Sequence, residues 1–151
     1  MKKYYLIFIL FALIFSCNEK DGRTGLVNSY FNTGALEKQI AMVNGKKEGI
    51  SRHYYLDGKL KGELFFKNDL QEGKTIYYYN SGQLKEVQYY DKGKRIGQDS
   101  VWNENGTLAL ISHFESGKLE GSQYKFDKDG IMTHIAQYKN DTVVNIELLS
   151  K

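Results

Sequence analysis

Hydrophobic and polar positions alternate along this chain in short runs that are separated by glycine-containing dipeptides. A run with an aromatic centre, Ser51–Tyr55, leads to Asp57-Gly58, and a second run extends from about Leu60 to Phe66. Such alternation is typical of β-strands that bury one face. Dipeptides that tolerate positive φ are typical of tight hairpin turns. The pattern therefore predicts β-hairpins, and the absence of proline from the chain fits uninterrupted strand pairing.

This pattern recurs at one constant spacing, without an insertion or a deletion. We call the equivalent positions of successive copies a slot. Glycine returns at two slots, an aliphatic residue or methionine at a third, and aromatic residues or methionine at two more. The five series are Gly25, Gly49, Gly73, Gly97 and Gly121; Gly34, Gly58, Gly82, Gly106 and Gly130; Leu36, Leu60, Leu84, Leu108 and Met132; Tyr30, Tyr54, Tyr78, Trp102 and Phe126; and Met42, Phe66, Tyr90, Phe114 and Tyr138. Repetition at a fixed period indicates stacked units that pack on their neighbours.

We therefore predict an all-β fold, an elongated twisted antiparallel sheet of five stacked 24-residue β-hairpin repeats. A propeller fits less well, because its blades need about 40–45 residues each. The copies are assigned to residues 25–48, 49–72, 73–96, 97–120 and 121–144, and residues 145–151 form a C-terminal half-repeat.

The glycine that begins each copy has no turn partner. We interpret it as the point where consecutive hairpins abut, since glycine permits close approach of two backbones. The next slot of this series is Asn145, and asparagine tolerates the left-handed conformation better than most residues. We therefore expect that conformation at Asn145.

The beginning of the chain has the composition of an export signal. Lys2 and Lys3 precede an apolar run from Tyr4 to Phe15, which is shorter than the roughly 20 residues that span a bilayer. The alternative is a buried N-terminal helix or strand. We interpret residues 1–16 as a signal peptide, because a basic start followed by a short apolar run is typical of one.

The only cysteine stands where the apolar run ends, in Ile14-Phe15-Ser16-Cys17. This segment resembles the lipobox of bacterial lipoproteins. The resemblance implies that Cys17 is lipidated and that residues 17–24 are a tether. The residue after Cys17 is not an aspartate, which under the family's sorting rule implies the outer membrane, facing the periplasm or the cell surface. Lipidation of Cys17 leaves no thiol for disulfides, metals or catalysis.

The charge of the chain does not indicate a nucleic-acid partner. There are 21 Lys and Arg against 18 Asp and Glu, and removal of Lys2 and Lys3 leaves 19 against 18. Such a balance provides no basic footprint for phosphate backbones.

The repeat resembles a known one at three segments. They are Tyr54-Tyr55-Leu56-Asp57-Gly58-Lys59-Leu60, Tyr78-Tyr79-Asn80-Ser81-Gly82-Gln83-Leu84-Lys85-Glu86 and Tyr89-Tyr90-Asp91-Lys92-Gly93-Lys94-Arg95-Ile96-Gly97. They are similar to the MORN repeat, and more closely to its bacterial variant in the YwqK-type antitoxin family. The resemblance covers about residues 25–145 and implies a scaffold fold. Asp69 and Asp141 depart from it, since they stand where the repeat usually has glycine.

Two sets of slots define the expected faces of the sheet. Leu60 and Phe66 share a face, and we expect the aromatic slot of Tyr54 to join them in the core. The neighbouring slots are expected on the opposite face, where Tyr55, Phe65, Tyr79 and Tyr89 form a hypothetical partner-binding surface. The alternative is that the sheet coils and covers both faces, so that these aromatic residues only favour β-structure.

No catalytic, metal or cofactor site is expected. His53, His113 and His134 occupy different slots, and none has a second ligand at zinc-like spacing. Glu48, Glu72 and Glu120 recur at one slot, and we interpret them as turn or edge residues. These observations favour a non-enzymatic, lipid-anchored interaction module that binds a protein or an envelope glycan. An immunity-type antitoxin that neutralises a toxin is the alternative, and an envelope enzyme without a visible motif is a third.

Overall fold

The computed structural model describes residues 22–149, and the predictions on the signal peptide and Cys17 lie outside these residues. Within this range the chain forms fifteen strands that hydrogen-bond into one antiparallel sheet. The strands are β1 (Gly25–Tyr30), β2 (Leu36–Val43), β3 (Lys46–Lys47), β4 (Gly49–Tyr54), β5 (Leu60–Lys67), β6 (Leu70–Gln71), β7 (Gly73–Tyr78), β8 (Leu84–Asp91), β9 (Lys94–Arg95), β10 (Gly97–Trp102), β11 (Leu108–Glu115), β12 (Lys118–Leu119), β13 (Gly121–Phe126), β14 (Met132–Lys139) and β15 (Thr142–Leu148).

The sheet follows the order of the chain, β1-β2-β4-β5-β7-β8-β10-β11-β13-β14-β15. The two-residue strands β3, β6, β9 and β12 pair with the end of the long strand that precedes each of them. Each long second strand is therefore paired within its own hairpin on one edge and with the next copy on the other. The predicted fold class, an all-β sheet of stacked hairpin repeats, is confirmed.

The second turn of each copy is a two-residue hairpin turn with both residues at positive φ. Asn68 and Asp69 have φ of 49° and 69°, and the corresponding pair in each other copy is also left-handed. Such turns match the twist of the flanking strands. The Asp69 N–H donates to the Lys47 carbonyl at 3.0 Å, so consecutive turns are stacked on each other. This explains the departure at Asp69, whose carboxylate also accepts a 2.8 Å hydrogen bond from the Lys47 N–H.

The glycine at the start of each copy is required by its backbone angle. Gly73 has φ of 68°, and a Cβ built on it would have no neighbour within 4 Å. The expectation that this series provides close backbone approach is therefore wrong, although it does lie where one hairpin leads into the next. Close approach occurs instead at Gly62, where a Cβ would lie 2.7 Å from the Tyr77 ring.

The register assigns side chains to two faces. Ser51 is paired with Leu64, and Ile50 with Phe65, so these two pairs point to opposite sides of the sheet. We name the side of Ser51 and Leu64 the inner face and the side of Ile50 and Phe65 the outer face.

The core is not where the aromatic slot predicted it. Leu64 on the inner face and Val87 on the outer face are the buried apolar residues of the described range. Tyr54 is only half-buried, and Tyr30 at the same slot is exposed. The register shifts between His53 and Tyr54, so the pairing of Tyr54 with Leu60 near the turn does not continue into the body of the hairpin. Instead, the buried side chains on each face of this single sheet lie near the middle of the strands.

The last described strand closes the ladder as a single extended segment. β15 pairs with β14, and Asn145 lies inside it opposite Gln137. The left-handed conformation expected at Asn145 is wrong, because it is not among the positive-φ residues of the described chain. Ile146 and Leu148 are exposed on this edge strand.

Candidate functional site

A strip of exposed apolar side chains runs across the outer face of the first three copies. Its residues are Leu26, Ile50, Phe65 and Tyr89, which are 61%, 46%, 39% and 42% exposed. We name this set the outer strip. Ile50 and Phe65 are direct cross-strand partners, and they line an open hollow of about 300 Å³ together with Lys74 and Ile76. Exposed apolar side chains that gather on one face are a common mark of protein interfaces.

The outer strip becomes polar in the later copies. The slots of Ile50 and Phe65 are occupied by Gln98 and His113 in the fourth copy and by Ser122 and Gln137 in the fifth. Since Gln98 and His113 are cross-strand partners in the same way, the backbone geometry is conserved between copies while the chemistry changes. The sheet thus presents one apolar end and one polar end on the same face.

The structure separates the four predicted partner-binding residues. Phe65 and Tyr89 lie on the outer face, where the sequence predicted an exposed surface. Tyr55 and Tyr79 follow β4 and β7 in the turns, and Tyr55 lines a hollow with Tyr77 and Glu86 of the inner face. The expectation that all four share one face is therefore wrong, because the register shift next to the turn changes which residues are opposite each other.

Tyr55 and Tyr79 also use their hydroxyl groups within the fold. Each hydroxyl donates a 2.7 Å hydrogen bond to a backbone carbonyl of the following copy, that of Tyr78 and that of Trp102 respectively. Both side chains are half-buried. Lys61 and Lys85 lie over the two rings at 5.5 Å from the ring centre. These tyrosines join copies together, and the outer strip consists of other residues.

The recurring glutamates stabilise turns. The Glu48 carboxylate accepts a 2.8 Å hydrogen bond from the Asn68 N–H, and Glu72 accepts one from the Lys92 N–H. Glu120 does the same for Asn140 at 2.9 Å. This agrees with their interpretation as turn residues.

The inner face buries a row of polar side chains that the sequence analysis did not identify. They share the central slot of each strand, and all of them are buried. The row contains Ser51, Thr75, Gln88, Asp99 and Ser112. Their burial depends on side chains of neighbouring copies, which are distant in the sequence, so no local pattern reveals it.

Asp99 is the charged member of this row. Arg95 donates to its Oδ2 at 3.0 Å, while Oδ1 is buried without a partner in the described residues. Burial raises the pKa of the Asp99 carboxyl to about 6, the nearby Glu86 carboxylate adds to the rise, and Arg95 opposes it. Hydrogen bonds linking Glu86, Gln88 and Tyr90 extend the network.

Among residues 22–149, no three His, Cys, Asp or Glu side chains lie together as metal ligands. His53 is half-buried, and its pKa is lowered mainly by burial and by Lys38. His113 is exposed on the outer face, and His134 lies in β14. In the same range no helix is long and apolar enough to cross a membrane.

The fold and its repeating turns define an all-β repeat protein. The family described as the MORN repeat variant matches residues 47–68 and 71–92. The matched segments lie in the second and third copies, and they support repeats of the MORN type there. Repeats of this family are generally non-enzymatic and indicate a protein-interaction module.

Comparison with other known proteins adds little. No curated protein matches the sequence. The crystal structure of a GtfA/B complex bound to UDP and GlcNAc is similar to 68% of this chain at 11% sequence identity, with a TM-score of 0.35. This chain covers 22% of the length of that one. This likeness is too weak to indicate a shared fold.

Proposed function

We propose that this protein is a lipid-anchored, non-enzymatic interaction module of the bacterial cell envelope, and that it binds a protein partner through the outer strip. The observation that carries the proposal is the exposure of Ile50, Phe65 and Tyr89 on one face of the sheet. Aromatic and aliphatic side chains that project from a rigid sheet lose little conformational entropy when they are buried by a partner.

A protein partner fits this surface better than an envelope glycan. The hollow beside Phe65 has an apolar lining with one acidic and one basic side chain at its border, Glu63 and Lys74. Glu63 is already paired with Arg52 at 2.9 Å. An aliphatic or aromatic anchor of a partner protein would fill the hollow, with polar groups at its rim.

Capture of partners from envelope extract tests the outer strip. The full chain is compared with Phe65→Ser combined with Tyr89→Ser, and with His113→Ser as the matched control at the same slot. We expect the double variant to lose a partner that the control retains, and the partner, once identified and purified, to bind the wild-type chain directly. Equal capture by all three proteins would refute the role of the strip. Capture of a glycan alone would refute the protein partner.

The membrane anchor rests on the sequence around Cys17. The proposal requires acylation of this cysteine, with retention in the outer membrane. Metabolic labelling with a radioactive fatty acid should label the wild-type chain, and Cys17→Ser should abolish both labelling and membrane retention. A wild-type chain that stays unlabelled would contradict the anchor without affecting the outer strip.

Neutralisation of a toxin is the alternative form of the same interaction, and it rests on the resemblance to the YwqK-type family. It requires that the captured partner be toxic to cells and that co-expression of this chain restore growth. A harmless partner would exclude the antitoxin function and leave the interaction module intact.

A further inference from the structure

A small hollow of about 200 Å³ opens on the inner face where the first copy meets the second. Its lining contains two lysines, a histidine, a serine and two apolar residues. They are Lys38, Ile40, Lys47, Ser51, His53 and Phe66. Ser51 is only 1% exposed, and its hydroxyl has no hydrogen-bond partner in the described residues. A buried, unsatisfied hydroxyl costs free energy unless a ligand group satisfies it.

The slots of Lys38, Lys47 and Ser51 are occupied two copies further on by Glu86, Arg95 and Asp99. Arg95 contacts the Asp99 carboxylate at 3.0 Å and the Glu86 carboxylate at 3.9 Å. At this later place the cation is therefore neutralised by carboxylates of the chain itself.

The two cations occupy corresponding places. The Lys47 Nζ lies 4.9 Å from the centre of the Phe66 ring, and the Arg95 guanidinium lies 5.0 Å from that of Phe114, which is the same slot. In the hollow, however, Ser51 stands at the slot of the aspartate and Lys38 at the slot of the glutamate. The hollow thus keeps the cation and lacks both acids.

A neutral version of this arrangement lies where the second copy meets the third. Gln71 takes the slot of Lys47, Thr75 takes the slot of Ser51, and the two are joined by a 2.9 Å hydrogen bond. Side chains at these two slots therefore meet when they are complementary. Thr75 and one oxygen of Asp99 are thus paired with the side chain at the slot of Lys47, whereas the Ser51 hydroxyl has no partner.

The electrostatic environment of the hollow is positive. Lys38 has a partner in Glu37 at 3.3 Å, whereas Lys47 makes no ion pair within residues 22–149. After burial, Lys38 and Lys61 are the main causes that lower the pKa of His53, with Lys47 contributing and Glu37 opposing. A negative group would be attracted to this place.

We propose that the hollow binds a carboxylate group, with Lys47 and Ser51 as its hydrogen-bond donors. The bound carboxylate takes the part that Asp99 plays beside Arg95 in the fourth copy. Two sources share this chemistry, a free small carboxylate and an acidic side chain of a protein. This site lies on the face opposite the outer strip and does not depend on the proposed function.

Nuclear magnetic resonance of the ¹⁵N-labelled full chain in detergent tests the site. Sodium acetate is titrated against sodium chloride at equal ionic strength, with the amides of Lys47, Ser51 and His53 as reporters. A second arm uses a peptide with blocked termini, Gly-Gly-Glu-Gly-Gly, and its Gln counterpart. We expect saturable shifts with acetate, with the Glu peptide, or with both. Shifts with the peptide alone identify a protein side chain as the source, and no specific shift in either arm overturns the proposal.

The other copies provide the variants. Ser51→Asp reproduces the fourth copy and Lys47→Gln the third, so the backbone is expected to tolerate both. Each should weaken carboxylate binding by about tenfold or more, since a hydrogen bond to a charged group contributes at least that factor. Lys46→Gln removes a neighbouring exposed cation and should leave binding unchanged. Equal binding by Ser51→Asp, Lys47→Gln and the wild-type chain would overturn the proposal, and Lys47→Gln remains informative if Ser51→Asp does not fold.

Discussion

The Tyr55 hydroxyl donates a 2.7 Å hydrogen bond to the backbone carbonyl of Tyr78 in the next copy. Tyr79 makes the same bond to Trp102. The fourth copy has Asn103 at this slot, and a hydrogen bond from its first turn to the fifth copy is made by the Asn105 side chain, which donates to the Lys128 carbonyl at 3.1 Å. Side chains of the first turn thus fasten each of these copies to the one that follows.

Removal of either tyrosine hydroxyl should destabilise the sheet. Tyr55→Phe and Tyr79→Phe keep the ring and leave a part-buried carbonyl without its donor, so each should lower the free energy of unfolding by about 1 kcal/mol. Urea denaturation followed by circular dichroism measures the change. Tyr89→Phe, at an exposed position of the outer strip, is the control and should have little effect. Three equally stable variants would show that these bonds do not hold the copies together.

Gly73 is required by its backbone angle, and substitutions there should follow the tolerance of each residue for positive φ. Gly73→Ala should cost about 1–2 kcal/mol, and Gly73→Asn less, since asparagine adopts the left-handed conformation more readily. Thermal unfolding gives the comparison. At Gly62 the order should reverse, because the obstacle is the Tyr77 ring and a larger side chain is worse. The same order at both sites would contradict this distinction.

Ile96, which lies between β9 and β10, offers a stabilising substitution for the turn between β11 and β12. Ile96 occupies the slot of Glu48, Glu72 and Glu120, and it is 38% exposed. Ile96→Glu should provide the Ser116 N–H with the acceptor that the other turns have, and should raise the free energy of unfolding by about 0.5–1 kcal/mol. Chemical denaturation tests this, with Ile96→Gln to separate charge from hydrogen bonding. A loss of stability in Ile96→Glu would mean that the apolar contacts of Ile96 outweigh the turn bond.

Stability should depend on pH through Asp99. Its folded-state pKa, about 6, lies above the unfolded value, so the native state binds more protons in this window. Its contribution to stability is therefore complete below about pH 4 and is lost as the pH rises through about 6. The stability of Asp99→Asn relative to the wild type should increase across this window by about 2 kcal/mol.

Urea denaturation between pH 4 and pH 7 measures this difference. The lowered pKa of His53 acts in the opposite direction, because stability is lost as the pH falls through it, but it is common to both proteins and cancels. Asp91→Asn, at an exposed carboxylate, is the control, and its stability should change with pH in parallel with that of the wild type. If the stability of Asp99→Asn also changed with pH in parallel with that of the wild type, Asp99 would not be the cause of the pH dependence.

The sequence determined the repeat and its turns, because these are local properties. Asn68-Asp69 and the corresponding dipeptides tolerate positive φ wherever they occur, and the constant spacing of the turns leaves each hairpin identical in length. Phe65 and Tyr89 could also be predicted as exposed, since their slot turns polar in the later copies. The resemblance in the matched segments led to the same fold.

The tertiary structure decided which side chains meet. One register shift, between His53 and Tyr54, places Tyr55 and Phe65 on different faces. The alternation of residues in the sequence does not reveal this shift, because it does not show where a bulge adds a residue. The buried row through Ser51 and Asp99 exists because side chains from neighbouring copies cover it, and such contacts join residues that are far apart in the sequence. Lys47 and Arg95 therefore occupy the same slot in the sequence, and only the folded sheet shows that Arg95 has an acid beside it whereas Lys47 does not.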